Sequence, residues 1–275
     1  MDLTNVYIGF ALATFAGLST GIGSLLGLYS KFENKRLLSL ALGFSAGVMI
    51  YVSFMELLLL SFDSLGGLYG DTYGKLIGVT AFIAGLLIML FIDQLFDHHS
   101  IADFISRSSN KEESLLIRTG IFSAIALAIH NFPEGFATFT AAVYDPAVGV
   151  TLAIAIAIHN IPEGLAVSVP IYYATKSKSK AFWISFASGL AEPLGAIVGF
   201  LIFRTVYNEA LFGISFALCA GIMIYVSLNE LLPVSKEYGK PSDPIMGVTA
   251  GIIVMAISLI PVSYTHLTLP TTPYV

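Results

Sequence analysis

The sequence predicts an all-α integral membrane protein of eight transmembrane helices in a 3+2+3 inverted-repeat arrangement. Three observations predict it: an apolar composition, an alternation of positive charge along the chain, and segments that recur in pairs at nearly constant offset. The 275 residues are 56% hydrophobic and 11% charged, with a mean hydropathy of +0.84, whereas charged residues make up about a quarter of a soluble domain. A helical crossing needs roughly 20 apolar residues. Eight stretches qualify, at 5–30, 37–62, 76–96, 117–143, 147–173, 181–203, 211–235 and 244–262, called spans 1 to 8 below. Residues 1–262 therefore read as a single transmembrane domain. Span 1 starts behind Met1-Asp2-Leu3-Thr4 without a basic n-region or a small-residue cleavage site, so it is expected to be retained as a helix. Cys219, the one cysteine, lies inside span 7, which excludes a disulfide framework, a thiolate metal cluster and a redox motif.

Positive charge sets the expected orientation. The loops after spans 1, 3, 5 and 7 hold Lys31, Lys35, Arg36, Arg107, Lys111, Arg118, Lys176, Lys178, Lys180, Lys236 and Lys240, against Lys75 and Arg204 on the other side. Cytoplasmic loops carry the excess of Lys and Arg, so both termini are expected to be extracytoplasmic, in a multi-pass protein of the cell (inner) membrane. Eight buried helices of a soluble protein would show no such alternation.

The repeats begin with span 2. Ala46-Gly-Val-Met-Ile-Tyr-Val-Ser53 followed by Glu56-Leu-Leu58 returns in span 7 as Ala220-Gly-Ile-Met-Ile-Tyr-Val-Ser227 followed by Glu230-Leu-Leu232. Gly17-Leu18, Gly23 and Gly27 in span 1 are echoed by Gly189-Leu190, Gly195 and Gly199 in span 6, and Gly78-Val-Thr-Ala81 in span 3 by Gly247-Val-Thr-Ala250 in span 8. Five spans separate each partner, an odd number, so the copies are expected to cross in opposite directions. Small residues also recur wherever membrane helices pack closely, a bland reading that suits the pair in spans 1 and 6 better than the pair in spans 2 and 7. Inverted repeats are the usual build of secondary transporters, which hold substrate near the midplane with interrupted helices. Here those helices are expected to be 4 and 5.

Spans 4 and 5 each carry one copy of a six-residue word: His130-Asn131-Phe132-Pro133-Glu134-Gly135 and His159-Asn160-Ile161-Pro162-Glu163-Gly164. His and Glu four residues apart share one helix face, with the Asn carboxamide beside the His. Each proline removes an amide donor, so the carbonyl of Ile129 or Ile158 lacks its usual partner. At roughly 1.5 Å per residue both histidines lie about 20 Å along their spans, near mid-membrane. Glu134, Glu163 and, in span 6, Glu192 would each cost about 2.5–3.5 kcal/mol if left alone in lipid. No Lys or Arg lies at matching depth, so protonation or a bound cation is expected to offset that cost.

Imidazole, carboxylate and carboxamide without thiolate suit Zn(II), Fe(II), Mn(II) or Co(II) better than Cu(I). Two His, two Asn and three Glu exceed what one ion needs, which allows two ions bridged by carboxylate. The bland alternative is a hydrogen-bonded kink with protonated Glu. Glu192 stands apart, because its repeat counterpart is Thr20. Away from the centre, Glu56, Asp93, Asn229 and Glu230 lie near span ends and could be way stations on a transport path, or simply carboxylates and a carboxamide reaching water. His98-His99, after span 3, is an exposed pair that could touch metal in passing.

At these residues the chain resembles the ZIP (Zrt/Irt-like) family of divalent metal transporters, within it the bacterial zinc-transporter type, over residues 1 to about 262. The doubled motif, the Glu192-Pro193 of span 6, the eight spans and the His-containing third loop carry the likeness. The resemblance implies a binuclear metal site from His130, Asn131, Glu134, His159, Asn160, Glu163 and Glu192. It also implies uptake into the cytoplasm, homodimers, an elevator-like movement of spans 1, 4, 5 and 6 against the rest, and Asn229 and Glu230 on the inner exit path. After Pro261 the chain departs from the family: residues 263–275 form a Thr- and Pro-rich tail that reads as an artefact, and His266 is excluded from any site.

The expected function is therefore secondary transport of divalent metal ions, zinc first and iron, manganese or cadmium besides, rather than catalysis. Zinc or iron(II) would be substrate; no cofactor and no nucleic-acid partner is expected, only metal ions, the lipid bilayer and a second copy. No GxxxxGK[ST] loop supplies an ATPase. A dication entering a negative interior gains about 4.6 kcal/mol per 100 mV. Ligation needs deprotonated His and Glu, so uptake is expected to weaken as external pH falls. The rival readings are an intramembrane zinc-dependent hydrolase, which would need a His-Glu-x-x-His word that is absent, and a passive divalent cation channel.

Overall fold

The structure is a computed structural model that describes residues 2–29, 35–95, 111–205 and 208–258. His98-His99, the end of span 8 and the tail from residue 263 lie outside the described residues. Every element among them is helical. In chain order these are Leu3–Tyr29; Lys35–Val52, running through a π-helical turn Ser53–Leu57 into Leu58–Tyr69; Asp71–Leu95; Lys111–Tyr144; Pro146–Thr175; Lys178–Gly189 and Ala191–Thr205; Glu209–Val226, running through a second π turn Ser227–Leu231 into Leu232–Glu237; and Asp243–Ser258.

These helices fall on the eight apolar stretches in order. Six of the rods are long and apolar enough to cross a membrane by length and composition, and Asp243–Ser258 is a shorter apolar helix. The 34-residue Lys111–Tyr144 is not among the six; its sequence adds Lys111, Glu112, Glu113 and Arg118 to the motif's own His130 and Glu134. The outward surface is apolar to a degree water would not tolerate: on span 3 alone Leu76, Ile83, Leu87 and Phe91 are exposed. Lipid is the solvent that suits such a face. The chain is a multi-pass, all-α membrane protein.

The helices pack in two groups. Spans 1, 4, 5 and 6 contact one another extensively, as do spans 2 with 8, 2 with 3, 2 with 7 and 3 with 7; the groups meet mainly where span 2 touches span 5 and span 7 touches span 4. Exchanging repeat partners maps most of this pattern onto itself, because 1 packs on 5 as 6 packs on 4, and 2 on 8 as 7 on 3; the packing of 2 on 3 has only a slight counterpart between 7 and 8. Glycine makes the closest approaches possible. A Cβ on Gly164 would collide with the carbonyl of Thr20, and one on Gly135 with the carbonyl of Glu192, so the same contact occurs twice, in repeat-related places.

The two π turns also occupy matching positions. Ser53 Oγ donates to the Met49 carbonyl at 2.7 Å and Ser227 Oγ to the Met223 carbonyl at 2.7 Å. A hydroxyl that bonds the carbonyl four residues back competes with the backbone amide for it, and the amides of Leu58 and Leu232 reach to the carbonyls of Ser53 and Ser227, five residues back. Each widened turn carries a half-buried carboxylate, Glu56 or Glu230.

One expectation needs correction. Spans 4 and 5 are not interrupted: the helix continues through Pro133 in Lys111–Tyr144 and through Pro162 in Pro146–Thr175. A proline forfeits one amide bond, but each rod is held against its neighbour by a close contact two residues on, at Gly135 in span 4 and Gly164 in span 5. The break lies in span 6, at Leu190, two residues before Glu192. The turn between spans 4 and 5 is a single residue, Asp145, whose carboxylate accepts the Ala147 amide at 2.8 Å and caps the helix that Pro146 begins.

Candidate functional site

The two motif helices lie side by side, and their histidines and glutamates pair across the contact rather than within each word. His130 Nε2 is 3.2 Å from Glu163 Oε2, and His159 Nε2 is 3.2 Å from Glu134 Oε1. All four residues are buried, none more than 1% exposed. The i, i+4 spacing puts a nitrogen and a carboxylate on one face of each helix, and the way the two faces pack brings each nitrogen to the other helix's acid. This exchange also supplies a partner that the sequence reading missed. Protonation or a cation is expected to offset the three carboxylates, yet the imidazole of the opposite motif faces two of them, Glu134 and Glu163.

The asparagines are anchored by their amide groups. Asn131 Nδ2 donates to the Ser188 carbonyl at 3.3 Å, and Asn160 Nδ2 to the Ala16 carbonyl at 3.0 Å. Asn160 Nδ2 also makes a short contact with Glu192 Oε1, which ties the span 6 glutamate to the span 5 motif. The break at Leu190 lets span 6 restart at Ala191 with the Glu192 backbone packed on Gly135. All seven residues singled out by sequence, His130, Asn131, Glu134, His159, Asn160, Glu163 and Glu192, therefore lie in one buried region.

Its free atoms are mostly acceptors. Asn131 Oδ1, Asn160 Oδ1, Glu134 Oε2, Glu192 Oε2 and the Nδ1 atoms of both histidines are buried without a hydrogen-bond partner. A buried polar atom left unpaired costs about 1–3 kcal/mol, so four such oxygens in one place mark a region built to receive positive charge. Among the described residues no three His, Cys, Asp or Glu side chains converge on one point as a finished metal cage. The donors stand instead as two imidazole–carboxylate pairs with open oxygens beside them.

Two further residues reach the motifs from the other packing group. Ser45 of span 2 donates to Glu163 Oε1 at 3.0 Å and lies 3.3 Å from the His159 carbonyl. Cys219 of span 7 points its sulfur at the Pro133 carbonyl, 3.4 Å away. The sequence reading passed over both as contacts, although the repeat register held the signal: Ser45 immediately precedes Ala46-Gly47, and Cys219 immediately precedes Ala220-Gly221.

The outer candidates stand apart from this centre. Glu56 lines a small cleft with Thr151 and Ala155, the latter one turn before His159. Asp93 Oδ2 accepts from Tyr225 Oη at 2.8 Å and from Asn229 Nδ2 at 3.2 Å, and Glu230 follows Asn229 in the second π turn.

Comparison with known proteins shows the family. Residues 105–259 match the family described as ZIP Zinc transporter. The chain is 50% identical over 262 residues to the zinc transporter ZupT of Chlorobium chlorochromatii, covering 93% of this chain and 98% of that one. The chain belongs to the ZIP family. A second ZupT, from Chlorobaculum parvum, is also 50% identical over 93% of this chain and 98% of its own length. ZupT of Oceanobacillus iheyensis is 48% identical over 94% and 99%. The ZIP family is one of transporters, so membership sets aside the hydrolase reading, and both motif copies fall inside the matched residues.

Proposed function

We propose that this chain is a secondary transporter that moves divalent metal ions, zinc first, with iron, manganese or cadmium as further substrates, into the cytoplasm through the buried His/Asn/Glu region. The observation that carries the proposal is the crossed pairing of His130 with Glu163 and His159 with Glu134 beside four unpartnered carboxylate and carboxamide oxygens. A dication entering here exchanges its water for His130, Asn131, Glu134, His159, Asn160, Glu163 and Glu192, and displaces imidazole from carboxylate as it does so. One or two ions can be held by that set. A donor set that is gathered but not closed suits a carrier, because an ion held in a finished cage leaves slowly.

Uptake needs no energy source in this chain, since the membrane potential contributes about 4.6 kcal/mol per 100 mV to a dication. The eight helices form a 3+2+3 inverted repeat in the cell membrane with both termini outside the cytoplasm. The support is the alternation of basic loops and a packing pattern most of which survives exchange of repeat partners. In this orientation Glu56 and its cleft face the outside, and Asp93, Asn229 and Glu230 the cytoplasm, as stations on the way in and out. The division into spans 1, 4, 5, 6 and spans 2, 3, 7, 8 supports movement of one group against the other, and the working form is a homodimer. Residues 1–262 form the transporter domain, followed by the atypical tail at 263–275.

Uptake of radioactive zinc into proteoliposomes tests the proposal. Wild-type protein is expected to give saturable uptake that is lost in His130→Ala and Glu163→Ala. Uptake that does not saturate would make the protein a channel, and zinc entry unaffected by both substitutions would remove the motif from the path.

A further inference from the structure

Ser45 is buried completely, at a depth where a hydroxyl must find an acceptor within the protein, and it has two within reach. The Glu163 Oε1 atom at 3.0 Å is both nearer and more negative than the His159 carbonyl at 3.3 Å, and hydrogen bonds to an ionised acceptor are the stronger ones. With Oε2 facing His130, both oxygens of Glu163 are engaged, one by each neighbouring helix. The two partners differ in kind. Imidazole Nε2 is itself a metal donor and can turn from the carboxylate to an ion, whereas the serine hydroxyl of span 2 is a poor metal ligand and keeps Oε1 for as long as the two packing groups stand as they do here.

Resting on the transport reading, we propose that Ser45 is a positioning residue that sets metal preference by keeping Glu163 monodentate. The hydroxyl stays on Oε1, so an arriving cation finds only Oε2. Zinc accepts that arrangement, being content with four ligands from nitrogen and single carboxylate oxygens. Cations that favour higher coordination numbers and carboxylates binding through both oxygens are put at a disadvantage. The repeat counterpart of Ser45 is Cys219, whose thiol addresses the Pro133 backbone and leaves Glu134 Oε2 unpartnered. One carboxylate of the crossed pair is therefore restricted to a single oxygen, while the other keeps an oxygen in reserve.

The test measures uptake of zinc and of manganese separately in proteoliposomes, for wild type, Ser45→Ala and Ser45→Thr. Loss of the hydroxyl is expected to lower the zinc-to-manganese ratio of kcat/KM about tenfold, the equivalent of one charge-assisted hydrogen bond. The change should fall mainly on KM, and threonine, which keeps the hydroxyl, should restore the ratio. A merely structural role would lower both ions' uptake together and leave the ratio alone. A ratio within twofold of wild type in Ser45→Ala overturns the inference, as does a threonine variant that behaves like alanine. Wild-type protein that moves neither ion overturns the transport reading and this inference with it. Normal wild-type uptake with an unchanged ratio in the alanine variant overturns only the role of Ser45. Should the alanine variant not assemble, calorimetric titration of zinc and manganese into detergent-solubilised Ser45→Thr and Ser45→Cys decides the matter: threonine must keep the wild-type preference and cysteine, a weak donor, must erode it.

Discussion

The two copies of the motif share their word, their burial and their crossed partners, yet their surroundings differ. Glu163 has both oxygens engaged, by His130 and Ser45, whereas Glu134 has one engaged and one free. Behind Gly164 lies the backbone of Thr20; behind Gly135, in the equivalent place, lies that of Glu192, a third acid. The difference teaches that repetition supplies the scaffold and the neighbours supply the chemistry. Two equal half-sites would offer an ion two equal places to rest, and unequal neighbours turn them into one region with a gripped side and an open side.

The comparison can be broken most directly at the two glutamates. Glu163→Ala removes an acceptor used by two helices and is expected to cut zinc uptake by about 100-fold or more, and Glu134→Ala, with one such bond, by about tenfold. Equal losses, measured as initial uptake rates in proteoliposomes, would show that the surroundings do not matter. The glycines test the opposite claim, that the scaffold is symmetric. Gly135→Ala and Gly164→Ala each place a methyl against a backbone carbonyl and should destabilise the protein similarly, by about 1–3 kcal/mol, seen as lower thermal midpoints in detergent. A large effect at one position only would mean that the repeats pack differently. Cys219→Ala should change the KM for zinc by less than about twofold, because a thiol is a weak donor and its acceptor is backbone.

The smallest effect is expected outside the membrane-spanning part. Asp243, just before span 8, accepts the Lys240 amide at 2.8 Å and Arg36 Nε at 3.1 Å. That backbone bond first, with Arg36 behind it, holds its carboxyl below the usual carboxylate range. A lowered acid stabilises the fold above its unfolded value, near about pH 3.9, and the contribution fades as pH falls through the folded value. Thermal midpoints measured from pH 6 downwards should therefore drop less steeply below about pH 4 in Asp243→Asn than in wild type.

Much of the site was legible because its signals are local. The i, i+4 spacing of His and Glu, doubled in adjacent spans at matching depth, needed no coordinates to suggest a shared centre, and Glu192 stood out against Thr20 in the repeat. The crossing of partners was not legible, since either pairing satisfies the spacing and only the packing of one helix against the other selects between them. The breaks were misplaced for a related reason. Proline marks where a helix loses one bond, but whether the rod opens there depends on what presses on it, and Gly135 and Gly164 hold both rods against their neighbours. The π turns follow from Ser53 and Ser227, residues that in most helices leave the backbone undisturbed.

By itself the sequence determined the solvent, the helices and the donors: apolar runs of the right length, an alternation of basic loops, and a nitrogen–oxygen word written twice. These are properties of single segments, fixed by hydrophobicity and by helical periodicity. The tertiary structure decided which imidazole meets which carboxylate, which oxygens stay open, and that a serine from a distant span holds one acid by a single atom. Such choices depend on contacts between different helices, 25 and 33 positions apart for the crossed pairs and 118 for the serine, whose energies exist only once the helices have packed.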